Sequence, residues 1–392
     1  MPLRVVGIDP GTMSMDILGL VDHGDRVEVF LDEVVPRELV TRDPGVVLRV
    51  VEEAAGRVGG LDAVVAPSGY GMPLKRVQEA SVEDILEATF VTREDVERRL
   101  RIIGLRELML LFRESSLPAW FTPGVVHLPT VPEWRKANRI DIGTADKVYT
   151  VAAALANLLD EGVKPGDVDA IVVEVGYAYT AAMAVESGAI VDGVGGTSGF
   201  TGYLGMGCMD AELGYALAAV EPRFSKTRLF EGGAAYIAGH ENPSDLDGFV
   251  ERGLRGEKGY REGLEALVEG VLKDVAVLLV SVPRPKWVFL SGRWTRIPAF
   301  TDLLVKRLER MLRGFNVEAR VRIVETPAGR SKQAAYGAAV VADGIAGGRY
   351  EPVVESLRLR ESRGSIFDYI RVPGLREKLL REFRGGTPVT RA

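Results

Sequence analysis

One cysteine in 392 residues, Cys208, excludes an intramolecular disulfide framework and a cysteine-rich zinc site. The three histidines, His23, His127 and His240, have no metal-ligand spacing, so any metal is expected on oxygen ligands. Acidic residues outnumber basic ones, and the formal net charge of −6 argues against a general nucleic-acid or anionic-membrane surface. No uninterrupted apolar run reaches bilayer-spanning length and no N-terminal signal pattern appears, so a soluble, cytoplasmic protein is expected. Asn and Gln are scarce beside abundant Arg, Glu and Val, a bias common in thermophile proteins. At this length two domains, each with its own core, are the default.

What is present is a repeated hairpin. Leu3 to Val21 reads as two β-branched strands joined by the small-residue turn Pro10, Gly11, Thr12, Met13, Ser14, with Asp9 at the end of the first strand. Such a turn lets backbone N–H groups and hydroxyls approach an anion closely. A carboxylate there repels phosphate, and its natural task is to hold a hydrated Mg²⁺ that neutralises it. The bland alternative is an ordinary turn with Asp9 hydrogen-bonding its own backbone. Val168 to Gly188 repeats the design: a strand ending in Glu174 and Gly176, a turn through Tyr177, Ala178, Tyr179 and Thr180, and a second strand. Each copy is followed by a third extended run, Arg26 to Val35 and Ala189 to Val194. Two such hairpins half a chain apart indicate a duplicated domain with the turns facing across a cleft.

Between these landmarks, Val46 to Ala55 is periodic as a helix ended by Gly59-Gly60, and Leu61 to Pro67 reads as a buried strand. The order βββαβ is the core of a ribonuclease-H-like domain. Residues 75–115 read as helical, and Leu117 to Ile142 as a long irregular segment. Asp146 opens an apolar helix, where it is either functional or a cap. Residues 222–258 read as an insertion. Trp287 to Gly292 is a strand breaking into a glycine turn, and Lys332 to Ala342 is a small-residue helix. The expected division is 1–165, 166–346 and a helical tail over 347–392.

This arrangement resembles the acetate and sugar kinase, Hsp70 and actin superfamily over about residues 3–345. Gly176 to Gly207 is most similar to acetate and butyrate kinases, above all Ala182 to Asp192 followed by Gly-Thr-Ser-Gly-Phe-Thr201. The whole chain also resembles an archaeal family of unestablished function labelled predicted butyrate kinase (DUF1464). The resemblance implies an α/β fold of duplicated ribonuclease-H-like domains with an interdomain nucleotide cleft, binding ATP or ADP with Mg²⁺. It implies Asp9 as the Mg²⁺-associated carboxylate, Gly11 to Ser14 and Gly176 to Thr180 as phosphate turns, and Ser291, Gly292 and Arg293 in the nucleotide pocket. Asp146 takes the place of the general base of sugar kinases, whereas an acyl kinase, whose acceptor is already ionised, would use it to position metal or phosphoryl group. A homodimer is the expectation from the acyl kinases. Acetate kinases place an arginine after the second phosphate turn where this chain reads Gly205-Met-Gly-Cys-Met-Asp210, and a lysine late in the first hairpin gives way to Asp16.

Further expectations attach to single residues. Glu174 either binds metal through water or faces a polar cleft. Arg135, Lys136 and Arg139 form a solvated basic face or supply the missing positive charge to substrate. His127 is a satisfied structural histidine or a substrate contact, Ser198 a substrate contact, and Cys208 a small packed residue. The leading function is an ATP-dependent phosphotransferase acting on a small acceptor, a short-chain carboxylate first among them. The alternatives are a nucleotide-driven ATPase switch or activator protein without a small acceptor, and a scaffold that has lost catalysis.

Overall fold

The computed structural model describes residues 2–384 except 93, 96–102 and 223. β-Branched and apolar residues in the predicted hairpins form β1 (Leu3–Pro10), β2 (Ser14–Asp22) and β3 (Val27–Pro36), and after a helix at Gly45–Val58 comes β4 (Ala63–Val65). β5 (Lys75–Arg76) and β6 (Ala119–Phe121) complete a six-stranded sheet in the order β3-β2-β1-β4-β6-β5. The second half repeats the plan with β7 (Ala170–Val175), β8 (Thr180–Glu186), β9 (Ala189–Val194), β10 (Trp287–Ser291) and β11 (Arg320–Ile323) in the order β11-β10-β7-β8-β9. In both sheets the first three strands pair antiparallel and the first strand pairs parallel with the fourth. The third strand is bulged in both, with Phe30 opposite Gly19/Leu20 and Val191 opposite Ala184/Val185. Both halves are therefore ribonuclease-H-like.

Some expectations change. The stretch 75–115 opens with β5 and a 3₁₀ turn at Val77–Glu79 before helices at Val82–Thr89 and Ile103–Glu114, while its residues 93 and 96–102 lie outside the described residues. The segment read as irregular contains β6, a strand of three residues between Pro118 and Pro123, too short to show periodicity. Cys208 is exposed rather than packed. Among the described residues no helix is long and apolar enough to cross a membrane.

Two alanine-rich helices join the halves. The first seam helix, Ala145–Asp160, follows β6, yet its Thr150 hydroxyl donates to Glu174 at the end of β7. The second seam helix, Gln333–Ile345, follows β11 and packs on β1 and β4. The helices also pack on each other so closely that a Cβ on Gly337 would lie 1.7 Å from the Tyr149 carbonyl oxygen, and one on Gly7 would lie 2.0 Å from the Ala339 nitrogen. Outer cores flank this seam, one under helices Gly45–Val58 and Ile103–Glu114, the other under helices Tyr260–Leu278 and Pro298–Gly314.

Gly337→Ala should lower stability by about 1–3 kcal/mol or more, because the added methyl has to push the facing helix backbones apart. Gly314→Ala, in open space within the helix Pro298–Gly314, should be neutral or mildly stabilising. Urea unfolding of both variants checks the contrast, and equal midpoints would sink the close-packing argument.

Candidate functional site

The four pieces that meet at the seam are the β1–β2 turn, the β7–β8 turn and the N-termini of the two seam helices. Asp9 is fully buried, and its carboxylate pairs with the ammonium of Lys332, which directly precedes the second seam helix. Across the first hairpin from Asp9, Asp16 accepts from the Ser14 hydroxyl at 2.5 Å and from the Lys332 backbone N–H at 2.9 Å. On the other side, Lys147 bridges Asp146 at 2.5 Å and Glu174 at 3.1 Å, and Thr150 donates to the second Glu174 oxygen at 2.8 Å. Four carboxylates from both halves thus surround two lysines.

Burial pushes the Asp9 carboxyl up to about 6, with Lys332 pulling it down and Asp146, Asp16 and Glu174 pushing it further up. Burial also opposes the charge on Asp146, but Lys147 and the Thr144 hydroxyl outweigh it and hold that carboxyl below its ordinary range. Burial lowers the Lys147 and Lys332 amines less than the surrounding carboxylates raise them, so both stay charged. A lysine at a helix N-terminus opposes the helix dipole by roughly 0.3–1 kcal/mol. Two such lysines, one in each seam helix, are the sequence signal for concentrated negative charge that the reading of motifs missed.

The turns differ in what they offer. In the first, Gly11 packs against Lys332 so that a Cβ would lie 2.6 Å from its Nζ, Thr12 is exposed, Met13 is half-buried, and the Met13 carbonyl accepts from the Arg37 N–H at 2.8 Å. The buried Arg37 guanidinium reaches the Gly11 carbonyl at 3.5 Å. In the second, Gly176 N–H donates to the Tyr179 carbonyl at 2.9 Å, and Ala178 is buried with its carbonyl accepting from Leu204 and Gly205. Tyr177 is half-buried against Tyr203. Thr180, expected among the phosphate donors, is fully buried and donates to Asp274 at 2.6 Å. Asp274, from the helix Tyr260–Leu278, also accepts from the Phe200 N–H at 2.8 Å, and so ties β8 to the glycine-rich loop after β9.

Ser291 pairs with Glu174 across β10 and β7, and among the described residues its buried hydroxyl has no hydrogen-bond partner. Gly292 has φ +96°, and a Cβ there would lie 2.3 Å from the Val175 carbonyl, so only glycine fits the turn. Arg293 donates to the Ser14 hydroxyl at 3.4 Å, which joins the nucleotide-pocket candidates to the first turn.

The substrate candidates lie elsewhere. Arg135 donates to the Val191 carbonyl at 2.7 Å and pairs with Asp192, and Arg139 is exposed. Lys136 is buried against the Leu128 carbonyl and the Tyr369 ring. Ser198 donates to the Asp141 carbonyl at 2.6 Å, and the Asp141 carboxylate accepts from Thr197, so this pair closes the loop after β9 onto the first half. His127 lines a separate cavity by the tail. Among the described residues no hydrogen bond or ion pair joins any of these five to the carboxylate cluster.

Among the described residues no three His, Cys, Asp or Glu side chains form a cage for a metal. The donor set nevertheless fits Mg²⁺, which needs one or two carboxylates and takes its remaining ligands from water and phosphate. Burial first, and then the neighbouring carboxylates, raise Asp9, and a divalent cation there would relieve that strain on its charge.

Over residues 7–372 the chain matches the family model described as Protein of unknown function (DUF1464), and it belongs to that family. A search of curated protein sequences finds no match. Among solved structures it is similar to a propionate kinase from Francisella tularensis subsp. tularensis SCHU S4 (14% identity, 86% of this chain and 98% of that chain, TM-score 0.57). It is also similar to the acetate kinases of Porphyromonas gingivalis (13%, 87% and 98%, TM-score 0.55) and Entamoeba histolytica (9%, 77% and 86%, TM-score 0.51). At these identities the likeness is one of fold: the chain has a fold like that of the propionate and acetate kinases.

The Asp274 carboxyl is raised from 3.8 to about 6 by burial, against the pull of Thr180 and the Phe200 N–H. The folded state therefore favours its neutral form, and the stability this confers is complete below about pH 4 and lost as pH rises through about 6. Over that window the wild type should lose about 3 kcal/mol relative to Asp274→Asn, at about 1.4 kcal/mol for each pH unit between the unfolded and folded values. Urea midpoints of both proteins near pH 4 and pH 8 measure this; parallel pH slopes would refute the buried-carboxyl assignment.

Proposed function

We propose that this chain is an ATP-dependent phosphotransferase acting on a small acceptor, with short-chain carboxylates the favoured class. The observation that carries the reading is the convergence of Asp9, Asp146 and Glu174, drawn from both halves, around Lys147 and Lys332 at the seam. Phosphoryl transfer asks a protein chiefly for alignment and for charge placed where charge develops. The first turn supplies an approach close enough for phosphate oxygens, and Lys332 and Arg37 supply positive charge beside it. Arg293 reaches the same turn through Ser14, and Ser291 lies beside Glu174, both as nucleotide contacts. A bound Mg²⁺ would supply neutralisation of the phosphate charge, with Asp9 as its protein ligand.

Asp146 favours a carboxylate over a hydroxyl acceptor. A general base works best with a pKa near the operating pH, and Lys147 and Thr144 hold Asp146 well away from it. A carboxylate acceptor is already ionised and has no proton to lose. Asp146 then acts by holding Lys147 in place, and the chain's likeness in fold to propionate and acetate kinases supports the same acceptor class.

The test is ADP formation from MgATP with acetate, propionate, butyrate, sugars and polyols offered in turn. Turnover with a carboxylate supports the proposal, and hydrolysis indifferent to every acceptor would overturn it in favour of an ATPase switch. Asp146→Asn should lower carboxylate turnover about 10²- to 10³-fold, the scale of losing one preorganised electrostatic group, without removing an acidic limb from the pH profile. Asp9→Asn should reduce Mg²⁺-dependent turnover far more than MgADP affinity measured by calorimetry, and equal rates in mutant and wild type across a Mg²⁺ titration would remove Asp9 from the mechanism.

A further inference from the structure

A second cavity, of about 270 Å³, lies where the tail closes on the first half, and it shares no lining residue with the carboxylate cluster. Its inner wall is the loop Gly71–Pro73, the helix Val82–Thr89 with Asp84 and Glu87, and the turn that carries His127. Asp368, Arg376 and Arg384 of the tail form the outer wall.

His127 is 1% exposed, yet among the described residues neither ring nitrogen has a hydrogen-bond partner. Burial pulls the imidazole down to about 4, so near neutral pH it is uncharged, with one nitrogen a donor and the other an acceptor. Buried polar groups almost always find partners, and an unpartnered histidine in a cavity wall is a prepared contact. The charged side chains of the cavity wall are already paired, Asp84 with Lys75 and Arg384, Glu87 with Arg384, and Asp368 with Arg376, while the Lys136 ammonium, which also acts on His127, lies outside the lining on the Leu128 carbonyl. A ligand of either net charge would leave one charge uncompensated in partly buried surroundings. Hydroxyl groups add no charge, donate to carboxylate and imidazole acceptors, and accept from guanidinium and imidazole N–H. The volume is at or below the small end of ligand pockets and admits a monosaccharide-sized molecule.

We propose that this cavity binds a small neutral polyhydroxy compound, a monosaccharide or polyol, with its hydroxyls hydrogen-bonded to His127 and the tail forming one wall. The inference is independent of the phosphotransferase reading. The loop Gly71–Pro73 is continuous with Gly69, whose carbonyl accepts from the Ala145 N–H at 3.1 Å, so an occupant would sit one loop away from the start of the first seam helix.

The experiment is calorimetric titration of the full chain with glucose, ribose, sorbitol and glycerol, with and without MgADP, followed by a phosphorylation assay with MgATP. At least one compound should bind saturably without being phosphorylated. His127→Leu and Asp368→Asn should each weaken that binding at least 10-fold and leave MgADP affinity unchanged. Asp368 lies on the tail surface, so its variant carries the test if His127→Leu fails to fold. Absence of binding by all four compounds at millimolar concentration overturns the proposal, as does binding unaffected by Asp368→Asn. Acetate competing as strongly as the polyol would refute the charge argument. Phosphorylation of the bound compound, lost in Asp368→Asn, would make the cavity the acceptor's own subsite and overturn it as a separate site.

Discussion

The contact between the two seam helices is the constraint on which the remaining architecture depends. Two backbones approach at Gly337 and Tyr149 more closely than any side chain permits, and Ala152, Ala153, Ala335, Ala338 and Ala339 keep the rest of the interface thin. Each helix leaves the last strand of one sheet and reaches the other half of the molecule, the first to Glu174 and the second to β1. Had the interface been lined with leucine, the sheets would stand farther apart, and Asp9 and Glu174 would belong to separate surfaces. Small residues here give up burial per side chain in exchange for proximity. The proximity brings both helix N-termini and both hairpin turns to one place.

Bringing them together creates an electrostatic problem that the lysines answer. A lone buried carboxylate costs several kcal/mol, and mutual repulsion of four adds to it. Lys147 is placed between Asp146 and Glu174, and Lys332 against Asp9 and next to Asp16. Breaking either pairing would strand a charge, so the cluster is expected to be sensitive to substitution beyond any catalytic role. The compensation is uneven. Asp9 remains raised while Asp146 is held low, so the two aspartates are unlike in their readiness to take a proton or a cation.

Much of the fold was legible because alternation and turn chemistry repeat. The Asp9 and Glu174 hairpins, the helix ended by Gly59, the strand ending in Ser291-Gly292 and both seam helices announce themselves by local pattern. β6 does not, because three residues between two prolines carry no period. The site was legible in its carboxylates and much less in their partners. Thr180 read as a phosphate donor by residue type and position, but Asp274, 94 residues away, takes its hydroxyl. Lys147 and Lys332 stood in plain view as helix-opening residues, and their conflict with the helix dipole was the available clue. Arg135, Lys136 and Ser198 were offered to substrate because cations and hydroxyls in irregular segments look uncommitted. Each is spent on a main-chain carbonyl that only the tertiary fold brings near.

The seam is dense and apolar, whereas the opposite edge of the cleft is joined by a few polar contacts from the segment Ser225 to Phe230. Ser225 donates to Asp95 at 3.1 Å, and Lys226 donates to the Phe90 carbonyl at 2.8 Å with its ammonium over the Tyr70 and Phe90 rings. Three residues on, the Leu229 carbonyl accepts from the Tyr179 hydroxyl at 2.6 Å, and Phe230 packs against the Tyr179 ring. One short segment therefore holds the second turn and the first half together. Among the described residues, separating the halves at this edge would break two hydrogen bonds and two cation–π contacts, while separating them at the seam would expose the largest core. The edge is therefore the less costly of the two contacts to break. Burial pulls the Lys226 amine down to about 7, so the charge on this edge contact changes near neutral pH, whereas Lys147 and Lys332 at the seam keep theirs. The edge at Ser225 to Phe230 is thus held by polar contacts, one of them titratable, and the seam is held by packing.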